Sequence, residues 1–193
     1  MTIGVLAIQG DFAAHVRAIG DIGAYAIEVR GAAELDNLDA LIIPGGESTT
    51  MMKFIGEENF AQPIIDFASS GRPVFGNCAG AIVLARDVYN PPQASLGLID
   101  IGVERNGYGR QVDSFIAEAD TTFDGDPLEA VFIRAPRITR TGSEVEILAR
   151  CNNEPVLVRQ NNVLVATFHP ELTDDHRAHK LLLEMIRAST NRS

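Results

Sequence analysis

The first half of the sequence alternates short apolar runs with longer stretches of helical periodicity. The apolar runs of strand length lie at 3–8, 26–29, 40–44 and 73–76. The helix-length stretches between them lie at 12–23, 48–56 and 60–71. Apolar strands that alternate with helices are typical of βαβ units, whose parallel sheet is buried on both faces. We therefore predict a three-layer α/β fold with a mostly parallel central sheet and helices on both faces.

Shorter apolar segments joined by tight turns make up the second half. They lie at 97–106, 110–120, 128–136, 144–151, 154–160 and 163–170. This spacing predicts antiparallel hairpins added to the parallel core. The amphipathic pattern of 174–190 predicts a closing helix with Asp174 or Asp175 as its N-cap. The side chains expected to face inward are Leu181, Leu182, Met185 and Ile186.

Length and composition restrict the class of protein. A chain of 193 residues without repeats or linkers predicts one domain spanning residues 1–193. The formal net charge of −10 disfavours nucleic acid as a partner, because an acidic protein repels phosphates. We see no signal peptide and no apolar run near the roughly 20 residues that span a bilayer. With two cysteines, we expect a cytoplasmic protein with free thiols and no membrane partner.

Cys78 lies between Gly76 and Gly80, where a predicted strand meets the apolar helix pattern of 79–85. This arrangement has the form of a nucleophile elbow, a sharp turn that requires small neighbours. The positive amino-terminal end of the following helix favours a thiolate. The alternative is that Cys78 is a small buried apolar residue and the glycines only form a turn. Cys151 has no comparable context and is interpreted as structural.

A cysteine nucleophile needs a base and a group that orients the base. His169 ends an apolar strand and is followed by Pro170 and Glu171. Alternation along the strand would place His169 and Glu171 on one side, where the carboxylate can accept the imidazole N–H. The alternative is a solvated strand end.

The other three histidines carry weaker signals. His15 is expected at a solvated or partly buried position of the first helix. His176 and His179 lie three residues apart on the last helix, and we expect a polar helix face there, because no third metal ligand is apparent nearby.

The segment Pro-Gly-Gly-Glu-Ser-Thr at 44–49 also leads from an apolar strand into a helix. We predict that Ser48 or Thr49 caps this helix. The backbone N–H near Gly46, together with that of Ala79, would form an oxyanion hole for an intermediate at the cysteine. The alternative is a simple strand-to-helix turn.

These three elements, in this order, resemble the class I triad glutamine amidotransferases. The resemblance covers essentially the whole chain and is closest to the family of glutaminase subunits of pyridoxal 5'-phosphate synthase. The segments that carry it lie at 4–15, 44–49, 76–85, 102–115, 132–136 and 166–172. That family often has threonine at the position of Asn77. Because this side chain flanks the nucleophile, we expect a small effect on positioning without loss of activity.

The resemblance implies roles for individual residues. It implies that Cys78 is the nucleophile and that His169 and Glu171 form its relay. It further implies an oxyanion hole at Gly46 and Ala79 and glutamine contacts at Gly46, Glu47, Ser48, Arg105, Ile133 and Arg134. A cation such as Arg105 suits the α-carboxylate of glutamine, although composition alone favours a surface ion pair.

The same resemblance implies hydrolysis of L-glutamine to L-glutamate and ammonia through a cysteine thioester, without a metal or organic cofactor. It implies that the ammonia passes to a partner synthase subunit that makes pyridoxal 5'-phosphate within a large hetero-oligomer. Three alternatives are a glutaminase of another pathway, such as histidine or purine synthesis, a DJ-1-like protein or cysteine peptidase, and a binding module without catalysis. The His-Pro-Glu and PGGEST segments argue against the second alternative, and the intact triad argues against the third.

Overall fold

The computed structural model describes residues 1–107 and 114–190, so the start of the predicted segment at 110–120 lies outside the described residues. The strands of the first half are β1 (Thr2–Leu6), β2 (Tyr25–Val29), β3 (Ala40–Ile43) and β4 (Val74–Asn77). Its helices are α1 (Phe12–Asp21), α2 (Ser48–Glu57), α3 (Ala61–Ser69) and a 3-10 helix over Ala32–Asn37. The predicted alternation of strands and helices is confirmed, and the 3-10 helix adds one short element to it.

The second half of the chain is built mainly of short strands. In chain order it contains α4 (Ala79–Leu84), β5 (Ala85–Tyr89), β6 (Ile99–Glu104), β7 (Ser114–Thr121), β8 (Leu128–Ile133), β9 (Arg137–Thr141), β10 (Glu146–Cys151), β11 (Glu154–Gln160), β12 (Val163–Ala166), a 3-10 helix (Pro170–Leu172) and α5 (Arg177–Thr190). The sequence pattern does not predict β5 or β9, because charged residues interrupt their apolar runs. Two of these charges neutralise each other, since Arg140 Nη2 lies 2.7 Å from Asp87 Oδ2.

The central sheet joins both halves of the chain in the order β2-β1-β3-β4-β12-β11-β10-β7-β8. The strands from β2 to β12 run parallel. The strands β11, β10, β7 and β8 continue the sheet in antiparallel pairs. The predicted parallel core with antiparallel additions is therefore confirmed. A smaller sheet in the order β5-β6-β9, which the sequence does not predict, packs beside it.

Two apolar cores lie on opposite faces of the central sheet. One contains residues from α2, α3, α4 and the small sheet, including Met51, Phe67 and Ile101. The other contains residues from α1 and α5, including Ile19 and Leu182. The sheet is thus covered by helices on both sides, which confirms the predicted three-layer arrangement.

The closing helix starts later than its sequence pattern begins. α5 begins at Arg177, whose backbone N–H donates to Asp175 Oδ1 at 3.2 Å, so Asp175 and not Asp174 serves the start of the helix. The four apolar side chains predicted to face inward are buried. Within residues 1–107 and 114–190, no helix is long and apolar enough to cross a membrane.

Candidate active site

The turn between β4 and α4 has the backbone of the predicted nucleophile elbow. Cys78 has φ 48° and ψ −105°, a conformation that costs free energy in a residue other than glycine. The strand ends at Asn77 and the helix begins at Ala79, so that Cys78 occupies the bend itself. Ala79 is the first residue of α4, and its N–H therefore has no acceptor within that helix.

Close packing explains the two glycines that flank the bend. A Cβ on Gly80 would overlap the carbonyl oxygen of Ile43 at the end of β3. A Cβ on Gly76 would lie 2.7 Å from the carbonyl carbon of Gly80 and 2.6 Å from Leu84 Cδ1. The requirement for small neighbours is confirmed, and its cause is the close approach of β3 and of the next helical turn.

The predicted base and its orienting carboxylate are in contact. His169 Nδ1 lies 2.7 Å from Glu171 Oε1, and both residues are only 8% exposed. The predicted reason for this contact is wrong, because β12 ends at Ala166 and Pro170 starts a 3-10 helix. The helical turn, and not strand alternation, brings the carboxylate back to the imidazole.

The charges of this pair support each other. Burial opposes a charge on His169, but the neighbouring Cys78 sulfur and the Glu171 carboxylate outweigh it and raise the pKa of His169 to about 10. Burial also opposes ionisation of Glu171, but its hydrogen bond with His169 and the charge of that ring outweigh this and lower its pKa. The arrangement therefore favours an imidazolium beside a carboxylate at neutral pH.

The elbow cysteine lies between the histidine and two backbone segments. Its Sγ is 3.8 Å from the carbonyl oxygen of Ile133 at the end of β8. A Cβ on Gly45 would lie 3.4 Å from Cys78 Cβ and 3.1 Å from His169 Nδ1, so this glycine packs against both side chains. His169 Nε2 makes no hydrogen bond to the described residues, which leaves it as the ring nitrogen able to exchange a proton.

The glycine turn after β3 also contacts the loop that precedes α1. A Cβ on Gly10 would overlap the carbonyl oxygen of Gly45. Because C=O and N–H of a trans peptide point in opposite directions, the N–H of Gly46 points away from Gly10. Gln9 Oε1 accepts the N–H of Glu47 at 3.3 Å. These contacts hold the turn against the first loop of the chain.

The start of α2 differs from the prediction, because its N-cap is Glu47 and not Ser48 or Thr49. The carboxylate of Glu47 accepts the N–H groups of Thr49 and Thr50 at 3.0 and 2.8 Å. Partial burial opposes its charge, but the hydrogen bonds from Thr50 and Thr49 outweigh this and lower the pKa of Glu47 to about 2. Ser48, the first residue of the helix, donates to Gln93 Oε1 at 3.0 Å.

Arg105 follows β6 and reaches the same helix start. Its Nη2 donates to Thr49 Oγ1 at 2.9 Å and lies 3.4 Å from Glu47 Oε1. The side chain is 17% exposed, which is low for an arginine in a purely solvated ion pair. Ile133, whose carbonyl faces the cysteine, is followed by Arg134 with φ 45°. The structure thus links all the sequence-predicted site residues through direct contacts or chain neighbours.

Three buried polar residues next to the triad are missed or misplaced by sequence reasoning. His15 and His179 are 0% exposed, so the expectations of a solvated or partly buried His15 and of a polar face at His179 are wrong. Asn77 is also 0% exposed. Sequence reasoning considered it only as a neighbour of the nucleophile, but its side chain also donates a hydrogen bond to Glu171. Helical periodicity could have found the two histidines, since His15 and Ile19 share the buried face of α1, as do His179 and Leu182 on α5.

The described residues do not meet the requirements of a metal site. Among the residues that the structure describes, no group of three or more histidine, cysteine, aspartate or glutamate side chains is placed to hold a metal ion. Cys78 and Cys151 are both free thiols.

Comparisons with known proteins place this site in a family. The profile of the SNO glutamine amidotransferase family matches residues 5–188. The pyridoxal 5'-phosphate synthase subunit PdxT of Thermotoga maritima is 49% identical over 188 residues, which cover 97% of this chain and 100% of the relative. The subunit of the same name from Bacillus licheniformis is 50% identical over 188 residues, covering 96% and 95% of the two chains.

Solved structures agree with these relatives. A crystal structure described as a glutamine amidotransferase matches with a TM-score of 0.91 and 45% identity, covering 96% of this chain and 98% of the other. The PurLQS structure from Thermotoga maritima matches with a TM-score of 0.72 and 98% coverage of both chains, but at 16% identity it supports the fold alone. The chain therefore belongs to the SNO glutamine amidotransferase family.

Proposed function

We propose that this chain is a glutaminase whose nucleophile is Cys78 and whose relay is formed by His169 and Glu171. The observation that carries the proposal is the joint placement of a strained elbow cysteine and a buried imidazole–carboxylate pair, both packed against Gly45 or its neighbours. Family membership supplies the substrate class, since the matched family is one of glutamine amidotransferases.

The reaction proceeds in two halves. With His169 already protonated, the Cys78 sulfur attacks as a thiolate at the side-chain amide carbon of L-glutamine. The tetrahedral intermediate collapses as His169 gives its proton to the leaving nitrogen, which releases ammonia and leaves a γ-glutamyl thioester. The same imidazole then takes a proton from water, the hydroxide attacks the thioester, and L-glutamate leaves as the sulfur is restored.

Substrate binding uses the groups around the start of α2. The N–H groups of Ala79 and Gly46 stabilise the oxyanion. We propose that Glu47, Ser48 and Arg105 contact the bound glutamine together with Ile133 and Arg134. Opposite charges at Glu47 and Arg105 suit a zwitterionic substrate, because one can face an ammonium and the other a carboxylate.

We further propose that the ammonia is delivered to a synthase partner that makes pyridoxal 5'-phosphate. The relatives named pyridoxal 5'-phosphate synthase subunit PdxT, at 49–50% identity over nearly the full length, support this partner. Ile133 and Leu172, which adjoin the site, are 39% and 42% exposed and provide apolar surface for a docked protein. Docking organises the oxyanion hole and raises glutaminase turnover at least ~10-fold, which needs only about 1.4 kcal/mol of barrier lowering.

The test is glutamate release by the chain alone and with saturating synthase subunit, for the native protein and for Cys78→Ala. We expect activity in the native complex, a lower rate for the native chain alone, and no activity with Cys78→Ala. Equal native rates with and without the partner would contradict activation by docking. Substantial turnover by Cys78→Ala in the complex would contradict the assignment of the nucleophile.

A further inference from the structure

A continuous row of buried polar side chains extends behind the candidate triad. His179 Nε2 lies 3.0 Å from His15 Nδ1, and His15 Nε2 lies 2.9 Å from Asn77 Oδ1. Asn77 Nδ2 lies 3.1 Å and 3.3 Å from the two oxygens of Glu171. Glu171 in turn contacts His169. The row therefore connects α5 and α1 with the acid of the triad.

The chemistry of Glu171 and the pKa of His15 together favour one assignment of donors and acceptors in this row. The Glu171 carboxylate only accepts, so Asn77 directs its NH₂ group toward Glu171 and its oxygen toward His15. His15 must then donate from Nε2. Burial lowers the pKa of His15 despite the nearby Glu171 carboxylate, so the ring is neutral and its Nδ1 is an acceptor. His179 consequently donates from its own Nε2.

The last residue of the row is His179. Burial, with a smaller contribution from His15, lowers the pKa of His179 to about 3, so this ring is also neutral. Its Nδ1 is buried and makes no hydrogen bond to the described residues. All N–H groups of the row thus point in one direction, toward Glu171.

We propose that His15 is a positioning residue for the catalytic relay, fixing the Asn77 amide so that its NH₂ group holds the Glu171 carboxylate, and that His179 fixes the tautomer of His15. This proposal rests on the proposed glutaminase function. Each link depends on the next, because a flipped Asn77 amide would present its oxygen to Glu171 and repel it. The row thereby couples the orientation of the carboxylate to the packing of α1 and α5 against the sheet.

Two substitutions of His15 separate the links of the row. The amide nitrogen of glutamine can occupy the place of imidazole Nε2, whereas the amide of asparagine reaches only the place of Nδ1. His15→Gln therefore keeps the donor to Asn77, and His15→Asn loses it. His176→Asn is the matched control, because His176 immediately precedes the helix that carries His179 but lies outside the row, with its Nε2 3.9 Å from Asp21.

Steady-state glutaminase kinetics of the complex with the synthase subunit give the first measurement. We expect His15→Asn to lower kcat by about tenfold or more with KM within about twofold, the pattern of lost transition-state stabilisation. His15→Gln should stay within about threefold of native kcat, and His176→Asn should be unchanged. Thermal unfolding of each variant shows whether the fold is retained.

The pH profile distinguishes positioning from a merely structural role. The charged or titratable groups around His15 are Glu171, His169, Asp11 and His179. A less firmly held Glu171 stabilises the His169 imidazolium less, so the alkaline limb of kcat/KM should move to lower pH in His15→Asn and return in His15→Gln. An alkaline limb that stays in place or moves to higher pH overturns the proposal.

A spectroscopic measurement tests the same proposal without using activity. With four histidines, ¹⁵N-labelled protein gives an interpretable long-range ¹H–¹⁵N spectrum of the rings. We expect His15 and His179 as neutral Nε2–H tautomers at about pH 7 and above. A charged or Nδ1–H form of His15 in this range overturns the proposal. Absence of glutaminase activity in the native complex would instead contradict the proposed function, while these spectra would still be informative.

Discussion

The carboxylate of Glu171 shows at the scale of one residue how the site holds charge in a buried place. It is 8% exposed, and it retains its charge because Asn77 and His169 direct N–H groups at it. Neutral glutamine at this position would occupy nearly the same volume but would not stabilise an imidazolium. The charge, and not the space it fills, is what we expect catalysis to require.

Glu171→Gln tests this expectation. We expect kcat for glutamine hydrolysis to fall at least ~100-fold, with KM within about threefold, because the lost interaction acts mainly in the transition state. His169→Asn should be at least as damaging. The measurement is glutamate release by the complex at saturating and limiting glutamine. Native-like turnover in both variants would reduce the His-Pro-Glu segment to a structural role.

Residues with a chemical signature in the local sequence could be predicted, and residues defined by tertiary contacts could not. Cys78 and the pair His169 and Glu171 are found from their own motifs. The contact of Asn77 with His15 joins positions 62 residues apart and leaves no local trace. The N-cap of α2 was also predicted wrongly, because Ser48 and the following threonine are common caps, whereas Glu47 caps here through its longer side chain.

At the scale of elements, the elbow depends on how closely β3 approaches α4. Gly80 lies in α4 directly over the carbonyl of Ile43, and any side chain there would separate the helix from the strand. Because α4 carries Ala79 at its first position, such a movement would displace the backbone beside the nucleophile. The packing of these two elements therefore determines both stability and site geometry.

Gly80→Ala and Gly20→Ala should change stability in opposite directions. We expect Gly80→Ala to lower the free energy of unfolding by roughly 2–3 kcal/mol through overpacking. Gly20 is an exposed residue of α1 with no atom near its hypothetical Cβ. Gly20→Ala should raise stability by roughly 0.5–1 kcal/mol, since alanine is the better helix former. Urea denaturation measures both changes, and equal effects would contradict the packing argument.

Elements with strong apolar periodicity were predictable, and elements stabilised by ion pairs were not. The parallel strands and the helices α1 to α3 follow directly from the apolar pattern. By contrast, β9 has the sequence Arg-Ile-Thr-Arg-Thr, in which one side chain is apolar and an arginine pairs with Asp87 and Asp100. Such a strand is recognisable only when its partners in the sheet are known.

At the scale of the whole molecule, the buried histidines make folding sensitive to acid. The pKa values of His15 and His179 are lowered from 6.5 by burial, so these rings stay neutral in the folded state while the unfolded chain binds protons. Stability should therefore fall as pH drops below 6.5, by up to about 1.4 kcal/mol per pH unit for each histidine. Glu171, whose pKa is lowered, adds a loss at lower pH, below 4.5.

The contribution of His169 to stability changes with pH in the opposite direction. Its raised pKa contributes stability that is complete below 6.5 and is lost as pH rises through about 10. Urea denaturation from about pH 5 to about pH 8 measures the acid dependence of stability. A free energy of unfolding that stays constant between about pH 5 and 6.5 would contradict neutral, buried forms of His15 and His179.

The assignment of Cys78 as the glutamine-attacking nucleophile is tested most directly by covalent labelling with the glutamine analogue 6-diazo-5-oxo-L-norleucine, in the complex with the synthase subunit. Cys151 is the internal control, because burial, with Glu154 and Asp120 nearby, raises the pKa of its thiol and keeps it protonated. We predict one adduct per chain, located on Cys78 by peptide mass spectrometry and prevented by excess L-glutamine. An adduct on Cys151, or no adduct on Cys78 in a complex that has formed, would contradict the account.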